Sequence, residues 1–249
     1  MIILKSPEEI RIMERASKLV AETLQTLRRE VRPGVTTDAL DRLAEEFILA
    51  RGGKPAFKGY RSYPKTLCVS INDQVVHGIP SKRTLREGDI VGLDLGAIVD
   101  GFYGDAAMTL PVGEIPPRVA ELLRVTEEAL YAGIEAAIVG NRLSDISHAV
   151  QKHAETAGFS VVTDFVGHGI GRQLHEEPQV PNYGPPGQGP RLQVGMVLAI
   201  EPMVNMGRSP VRVLEDHWTA VTVDGSLSAH FEHTIAIQPS GPPKILTKL

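Results

Sequence analysis

Hydrophobic residues recur at helical spacing in two segments near the start of the chain. Positions 6–9, Ser-Pro-Glu-Glu, are typical of a helix start, because Ser caps the helix, Pro suits its first position and Glu completes a capping box. Apolar side chains follow at Ile10, Met13, Ala16, Val20, Leu24 and Leu27. Pro33-Gly34 ends this helix, and a second helix is predicted from Thr37 to Gly52-Gly53.

The helical pattern returns after the middle of the chain. Helices are predicted from about Arg118 to Ile138 and from a cap at Ser144-Asp145 to near Gly158. Apolar runs predict strands at Thr66–Ile71, Ile90–Val99, Ser160–Val162, Met196–Val204, Thr219–Val223 and His230–Ile237. Residues 176–191 are rich in Pro and Gly, so they are predicted to form a surface loop.

The order helix, helix, strands therefore occurs twice. This duplication predicts two similar halves around one sheet, although the sequence itself shows no repeat. Helices packed on a mostly antiparallel sheet are typical of the α+β class, and we expect one domain over residues 1–249.

Composition narrows the function classes. A hydrophobic content of 42%, a charged content of 22% and a net charge of −4 are ordinary for a soluble protein and give no footprint for nucleic acid or an anionic membrane. A lone cysteine, Cys68, excludes an internal disulfide and suits a reducing cytosol. There is no signal-peptide pattern and no apolar run near the ~20 residues of a membrane span. We therefore expect a cytoplasmic protein.

A hairpin in the middle of the chain holds the first candidate chemistry. Asp100-Gly101 is a strong turn signal between two apolar runs. Antiparallel pairing, with a bulge allowed at the Gly-rich edge, would bring Asp94 and Asp105 near each other in apolar surroundings. A buried unpaired carboxylate is costly, so a cation should lie between them. The alternative from this segment alone is two aspartates that face water.

The second half contains three similar anomalies. His168 lies between two glycines, and Glu201 and Glu232 each lie in an apolar run. The alternative for Glu201 is a position at the sheet edge. The glycines around His168 superficially resemble a dinucleotide-binding fingerprint, but they lack its strand–turn–helix context. His77 follows Val75-Val76, and when it is considered alone it is more typical of a structural histidine than of a functional one.

Together, these residues indicate a metal site. Four carboxylates in one place repel one another unless protons or cations intervene, and two divalent ions match their charge. Oxygen donors with one imidazole suit Mn, Fe, Co or Zn, and paired ions of this kind serve metal-assisted hydrolysis. His77 and His175 remain as supporting or substrate-facing groups.

Six motifs in order resemble the type I methionine aminopeptidases over nearly the whole chain. They are residues 72–80 (NDQVVHGIP), 101–105 (GFYGD), 167–171 (GHGIG), 175–178 (HEEP), 200–203 (IEPM) and 231–234 (FEHT). The resemblance implies the pita-bread fold, whose two pseudo-symmetric halves agree with the duplicated order of elements. It implies a methionyl aminopeptidase that removes the N-terminal methionine before a small second residue.

The resemblance also implies the ligands. The metal ligands would be Asp94, Asp105, His168, Glu201 and Glu232. Asp105 and Glu232 would bridge two divalent ions, Asp94 would bind one ion, and His168 and Glu201 would bind the other. A monovalent cation, Na or K, would lie near Asn72, Gln74 and Ser228.

Catalytic roles follow from the same resemblance. Water activated by the metals would attack the first peptide bond, with Glu201 moving the proton, His175 stabilising the tetrahedral intermediate and His77 contacting the scissile amide. An apolar pocket for the methionine side chain would be formed by Phe57, Tyr60, Tyr63, Cys68, Leu174 and Trp218. The alternative for these six is ordinary core. The expected partners are nascent polypeptide N-termini, with contact to the ribosome left open, and the expected state is a monomer.

Two departures and three rival functions accompany this interpretation. The family often has a polar residue at Gly96 and Thr at Ala106, and we expect the second change to remove a hydrogen bond near a ligand. A proline-specific peptidase would need an additional N-terminal domain. A type II enzyme would need a helical insertion between His168 and Glu201. A non-catalytic binding protein of this fold would have lost metal ligands, and all five are present.

Overall fold

The computed structural model describes residues 1–248, which form four α-helices. They are α1 (Pro7–Glu30), α2 (Thr37–Ala50), α3 (Pro117–Ala136) and α4 (Leu143–Thr156). The predicted start of α1 is confirmed, since Ser6 Oγ accepts from the Glu9 amide at 3.2 Å and Glu9 Oε2 accepts from the Ser6 amide at 3.0 Å. The predicted cap of α4 is wrong by two residues: Arg142 is the N-cap, and its amide donates to Asp145 Oδ2 at 2.7 Å.

The described residues also form fifteen strands, most of them short. In chain order they are β1 (Lys54–Pro55), β2 (Cys68–Ile71), β3 (Gln74–Val76), β4 (Ile90–Val99), β5 (Phe102–Pro111), β6 (Ser160–Val161), β7 (Gly167–Gly169), β8 (Glu176–Val180), β9 (Val197–Ile200), β10 (Met203–Asn205), β11 (Val211–Val213), β12 (Ala220–Thr222), β13 (Ser228–His230), β14 (Glu232–Ala236) and β15 (Lys244–Ile245). A 3-10 turn, Tyr60–Ser62, lies between β1 and β2.

Three predicted segments differ from the structure. The run Met196–Val204 is two strands, β9 and β10, which belong to different sheets. Pro202 lies at the break and has no amide hydrogen for a ladder. His230–Ile237 is likewise divided at Phe231 between β13 and β14. The prediction of a loop over residues 176–191 is wrong for its first five residues, which form β8 beside β7.

A nine-stranded sheet contains strands from both halves of the chain. Its main path is β1-β4-β5-β14-β9-β7-β8, with β2 paired to β4 and β15 paired to β14. The strand pairs among the described residues are antiparallel. The other strands form two three-stranded sheets, β13-β10-β6 and β11-β12-β3. The α+β class is therefore confirmed.

The helices cover one face of the large sheet as two pairs. In the first half, Leu93 and Leu95 of β4 belong to a buried cluster with apolar side chains of α1 and α2. In the second half, Leu198 and Ile200 of β9 belong to a cluster with side chains of α3 and α4. Successive strand residues point to opposite faces of a sheet. The residues that alternate with Leu93 and Leu95 in β4, and with Leu198 and Ile200 in β9, therefore face away from the helices. That opposite face carries the candidate site.

Candidate metal centre

Strand register places the predicted ligands in two adjacent rows on the face of the sheet away from the helices. Asp94 and Glu232 both pair with Ala107, from opposite sides, so Ala107 lies between them. His233 pairs with Ile200, and their neighbours Glu232 and Glu201 continue the same row.

The second row lies two residues away along the strands. Asp105 pairs with Gly96, and His168 pairs with Ala199. The Asp105 amide donates to Thr234 Oγ1 at 3.3 Å, and the Thr234 hydroxyl donates to the Asp105 carbonyl oxygen at 2.8 Å. The hairpin β4–β5 keeps one register throughout, so the bulge that the sequence allowed is not needed.

The side chains of these rows converge. Donor atoms of Asp105, His168 and Glu232 lie within 4.8 Å of one another. The His168 Nε2 atom is 3.4 Å from Glu201 Oε1 and 3.9 Å from Asp105 Oδ2. Chain segments that are far apart in sequence thus present four carboxylates and one imidazole to a single place.

The backbone around His168 fixes which ring nitrogen faces the site. Nδ1 lies 2.9 Å from the Gly169 carbonyl oxygen, which can only accept, so Nδ1 carries the proton and Nε2 keeps a free lone pair. The flanking glycines allow this close approach. A Cβ on Gly167 would be 2.4 Å from the Ala199 oxygen, and one on Gly169 would be 2.3 Å from the Glu177 oxygen.

Burial and mutual repulsion disfavour ionisation of these carboxylates when no cation is bound. Burial raises the pKa of Asp94 to about 7. Burial, with neighbouring carboxylates, raises the pKa of Asp105, Glu201 and Glu232 well above the ordinary range. Burial, with a smaller contribution from His175, lowers the pKa of His168 to about 3, so its ring is neutral. Two like charges 4 Å apart cost about 4 kcal/mol at an effective dielectric constant of 20, so cations would stabilise the ionised site.

Three carboxylate oxygens of the site have no hydrogen-bond partner within residues 1–248, and they show whether a metal ion fits there. Asp94 Oδ1, Asp105 Oδ1 and Glu232 Oε1 are buried, and none has a hydrogen-bond partner among the described residues. Buried polar atoms are normally satisfied, and an absent ion is one recognised reason for an exception. Four carboxylates and a neutral imidazole also form a donor set that first-row divalent ions accept. The residues therefore fit divalent metal binding.

A cavity of about 310 Å³ opens onto this cluster. It is lined by all five predicted ligands, by both predicted histidines and by every residue predicted for the apolar pocket. The pocket residues are Phe57, Tyr60, Tyr63, Cys68, Leu174 and Trp218. The structure thus brings the metal cluster and an aromatic and aliphatic surface into one cavity.

His77 is held at the cavity wall in an unusual backbone conformation. Its φ is 61°, in the left-handed region that non-glycine residues seldom adopt. The ring packs edge-on against Phe165, with centroids 5.4 Å apart, and against Trp218 at 6.1 Å. Burial, with a smaller contribution from His175, lowers the pKa of His77 to about 4, so it is neutral near pH 7.

His175 lies across the cavity and is positioned by Tyr60 and by its own loop. The Tyr60 hydroxyl is 2.7 Å from His175 Nδ1, and the ring centroids of His175 and His168 are 4.3 Å apart. Burial and the nearby Arg61 guanidinium lower the pKa of His175. The next residue, Glu176, forms a buried ion pair with Lys5 at 2.5 Å, which attaches the start of the chain to this loop.

Several residues near the site were not predicted. His230 Nε2 is buried 3.9 Å from Glu201 Oε2 and has no hydrogen-bond partner within residues 1–248. Arg61 and Asp164 line the cavity with opposite charges and are exposed. His230 immediately precedes the motif that contains Glu232, so its position was a usable signal. Arg61 and Asp164 lie in loops whose approach to the site depends on tertiary structure.

The residues predicted for a monovalent cation lie near one another but outside this cavity. The Ser228 amide donates to the Asn72 carbonyl oxygen at 2.9 Å. Asn72 Oδ1 accepts from the Ile90 amide at 3.0 Å, and Gln74 Oε1 accepts from the Ile71 amide at 2.9 Å. These side-chain oxygens therefore already have a partner each.

The two departures from the family pattern have structural explanations. A Cβ on Gly96 would lie 2.9 Å from Ala56 Cβ and 3.0 Å from Phe57 Cε1, so the glycine makes room for a pocket residue. Ala106 pairs with His233 and lies one residue from Asp105, on the helix-covered face, where it lines a cavity between α1 and α3. The expected loss of a hydrogen bond on the ligand face is therefore wrong, because a side chain at this position points away from that face.

Comparison with known proteins identifies the family. Residues 11–239 match the model of metallopeptidase family M24. The chain is 56% identical to a methionine aminopeptidase of Clostridium perfringens, with 99% of each chain covered. It is 54% identical to methionine aminopeptidase 1 of Bacillus subtilis, with 97% of each chain covered.

Solved structures agree with the sequence relatives. The methionine aminopeptidase of Thermotoga maritima superimposes with a TM-score of 0.98 at 52% identity, over 100% of both chains. A prolidase of Pyrococcus horikoshii superimposes with a TM-score of 0.81 at 25% identity, over 100% of this chain and 64% of the prolidase. The expected pita-bread fold is confirmed. Among residues 1–248, none of the helices is long and apolar enough to cross a bilayer. The chain belongs to metallopeptidase family M24.

Proposed function

We propose that this chain is a methionyl aminopeptidase, which removes the N-terminal methionine from peptides and proteins and prefers a small second residue. The observation that carries the proposal is the shared cavity, in which five metal donors face an aromatic and aliphatic surface. An unbranched thioether suits that surface, since Met packs well against aromatic rings. A charged side chain on the first residue would lose its hydration against that apolar surface.

The proposed metal complement is two divalent ions, Fe, Mn, Co or Zn. Asp105 and Glu232 would be shared by the ions, Asp94 would bind one, and His168 and Glu201 would bind the other. Bound ions of this kind lower the pKa of water and polarise a carbonyl, which supplies a nucleophile near neutral pH.

Three side chains of the cavity would act on the peptide. Glu201, beside His168 and His230, would take a proton and pass it to the leaving nitrogen. His175, held by Tyr60, would donate a hydrogen bond to the developing oxyanion. His77, neutral and held by Phe165 and Trp218, would contact the scissile amide and orient it.

Residues 1–249 would form one catalytic domain that acts as a monomer in the cytoplasm on the N-termini of nascent polypeptides, with access to them at the ribosome. A monovalent cation, Na or K, would bind near Asn72, Gln74 and Ser228. Size-exclusion chromatography with light scattering, and co-sedimentation with ribosomes, would test the monomer and the ribosomal contact.

A proline-specific peptidase is the main rival, because a prolidase shares the fold. The chain is only 25% identical to that prolidase, however, whereas it is 52% identical to the methionine aminopeptidase of Thermotoga maritima. Peptides Met-Ala-Ser, Met-Pro and a set of Xaa-Pro dipeptides would separate the two activities. Metal-free protein titrated anaerobically with each ion would give the metal preference. Cleavage of Xaa-Pro without cleavage of Met-Ala-Ser would contradict the proposal.

A further inference from the structure

The turn from Gly59 to Tyr63 holds a charged residue in a disfavoured conformation at the rim of the cavity. Arg61 has φ 46° and ψ 33°, and Ser62 follows with φ 71°. Left-handed backbone is uncommon for residues other than Gly, and Asn or Asp fits it better than Arg. Such outliers persist where the surrounding structure imposes them, and they concentrate at functional sites.

The turn is closed by backbone hydrogen bonds. The Gly59 amide donates to the Tyr63 carbonyl at 2.8 Å, and the Tyr63 amide donates to the Tyr60 carbonyl at 2.8 Å. The Ser62 amide donates to the Gly59 carbonyl at 3.2 Å, and the Tyr60 amide donates to the Phe57 carbonyl at 2.9 Å. Arg61 is therefore presented from a fixed turn between two pocket residues.

The Arg61 guanidinium is available for a ligand. Its side chain is exposed, lines the cavity and forms no ion pair within residues 1–248, and its guanidinium carbon lies 5.4 Å from the centroid of the Tyr60 ring. Its charge lies near enough to His175 to act on that imidazole. Asp164 is also exposed at this cavity, with a 3.5 Å hydrogen bond from the Thr163 hydroxyl. The rim thus carries one cation and one anion.

A peptide in this cavity must pass the rim. Its first residue would lie at the metal donors, and an extended chain advances about 3.3 Å per residue, so the residues after the second would lie progressively nearer the opening. A guanidinium binds a carboxylate through two parallel hydrogen bonds, which an ammonium or amide cannot reproduce. We propose that Arg61 makes the enzyme selective for peptides with an acidic side chain at the third or fourth position. This inference rests on the proposed function.

The test compares amidated tetrapeptides that differ only at the third residue. Met-Ala-Glu-Ser, Met-Ala-Gln-Ser and Met-Ala-Lys-Ser would be assayed with the metal-loaded wild-type protein and with Arg61→Asn, which suits the left-handed backbone. A second set would place the charged residue at the fourth position. We expect kcat/KM for a Glu peptide to exceed that for the matched Lys peptide by about three- to tenfold in wild type, and the ratio to fall to about one or below in Arg61→Asn.

Two controls separate charge recognition from a general disturbance. Asp164→Asn removes the opposite charge, so it should raise the Glu-to-Lys ratio, whereas damage to the cavity would move both variants in the same direction. Arg42→Asn, on the exposed face of α2, should leave the ratio unchanged. The wild-type ratio should decline as salt rises from about 0.01 M to about 1 M.

The outcomes are distinct. A wild-type ratio near one in both peptide sets, or an unchanged ratio in Arg61→Asn, would overturn the role of Arg61 while leaving the proposed function intact. Failure of the wild-type protein to cleave even the Gln peptide would contradict the proposed function itself. Equal metal content and melting temperature in wild type and Arg61→Asn would confirm that the same site is compared.

Discussion

The Tyr60 hydroxyl and His175 Nδ1 lie 2.7 Å apart, although 115 residues separate them in the sequence. The two rings also pack at a tilt, with centroids 5.3 Å apart. The hydrogen bond fixes the rotation of the imidazole, so the other ring nitrogen, Nε2, is available to the cavity. In the proposed mechanism, Tyr60 therefore positions His175 as well as lining the pocket.

Replacement of Tyr60 by Phe tests this positioning. The ring and its packing remain, and one hydrogen bond worth about 0.5–1.5 kcal/mol is lost. We expect kcat on Met-Ala-Ser to fall about three- to tenfold with little change in KM or metal content. Tyr183→Phe, at an exposed tyrosine, is the matched control. Unchanged kcat in Tyr60→Phe would show that His175 does not need this contact.

Removal of the imidazole itself should have a larger effect. In His175→Ala we expect kcat to fall about a hundredfold or more, because a donor to the oxyanion is lost, while both metals are retained. Steady-state kinetics and elemental analysis would measure the two effects separately. Loss of metal with normal activity per bound metal would place His175 among the ligands instead.

In the proposed arrangement Asp105 is shared by two ions, so it should control metal content directly. Asp105→Asn removes one negative charge from the middle of the cluster, so we expect at most one tightly bound ion per chain and activity lowered at least a hundredfold. Elemental analysis after dialysis, with Glu135→Gln at an exposed position of α3 as a control outside the cluster, would measure this. Two retained metals with a near-normal rate would refute the bridging role.

The metal-free protein should lose stability as pH rises. Burial raises the pKa of Asp94 from an ordinary 3.8 to about 7 in the folded state, so the folded protein binds more protons than the unfolded chain between these values. Stability contributed by the protonated carboxyl is therefore lost progressively from about pH 4 to about pH 7. Asp94→Asn cannot ionise, so its stability relative to wild type should increase over that range, by at most about 4 kcal/mol. Urea unfolding of both metal-free proteins at several pH values measures the difference. A pH-independent difference would contradict the assignment.

Helix α1 packs closely against β5, and alanine substitutions at two glycines of the hairpin β4–β5 can test this packing. A Cβ on Gly104 would be 2.6 Å from the Ser17 backbone nitrogen, whereas one on Gly92 would have no contact closer than 3.6 Å. Gly104→Ala should therefore displace the helix and cost about 1–3 kcal/mol, with a fall in melting temperature of roughly 2–12 °C. Gly92→Ala should be nearly neutral. Equal melting temperatures for the two variants would contradict this packing.

Local signals predicted much of the fold, and motifs predicted the carboxylates and the imidazole that the structure brings together. The start of α1 and the turn at Asp100-Gly101 depend on neighbouring residues, so the sequence contains their full explanation. The site carboxylates were recognisable because charged residues are out of place in apolar runs. Arg61 was not predicted, and the contact of Tyr60 with His175 could not be read from the sequence, because it joins residues 115 positions apart. Pro202 indicates a break in the strand, because proline has no amide hydrogen. That β9 and β10 on either side of it belong to different sheets depends on their pairing with distant strands, which the local sequence does not show.

The two rows of donor side chains lie across the junction between the first and second halves of the chain. Asp94 and Asp105 come from the first helix pair's side of the sheet, and His168, Glu201 and Glu232 come from the second. Any opening of the junction between β5 and β14 would divide the donors between two separate surfaces. In the proposed arrangement, binding of the ions would therefore also hold the two halves together, so resistance to splitting of the sheet should rise with the concentration of free metal ion.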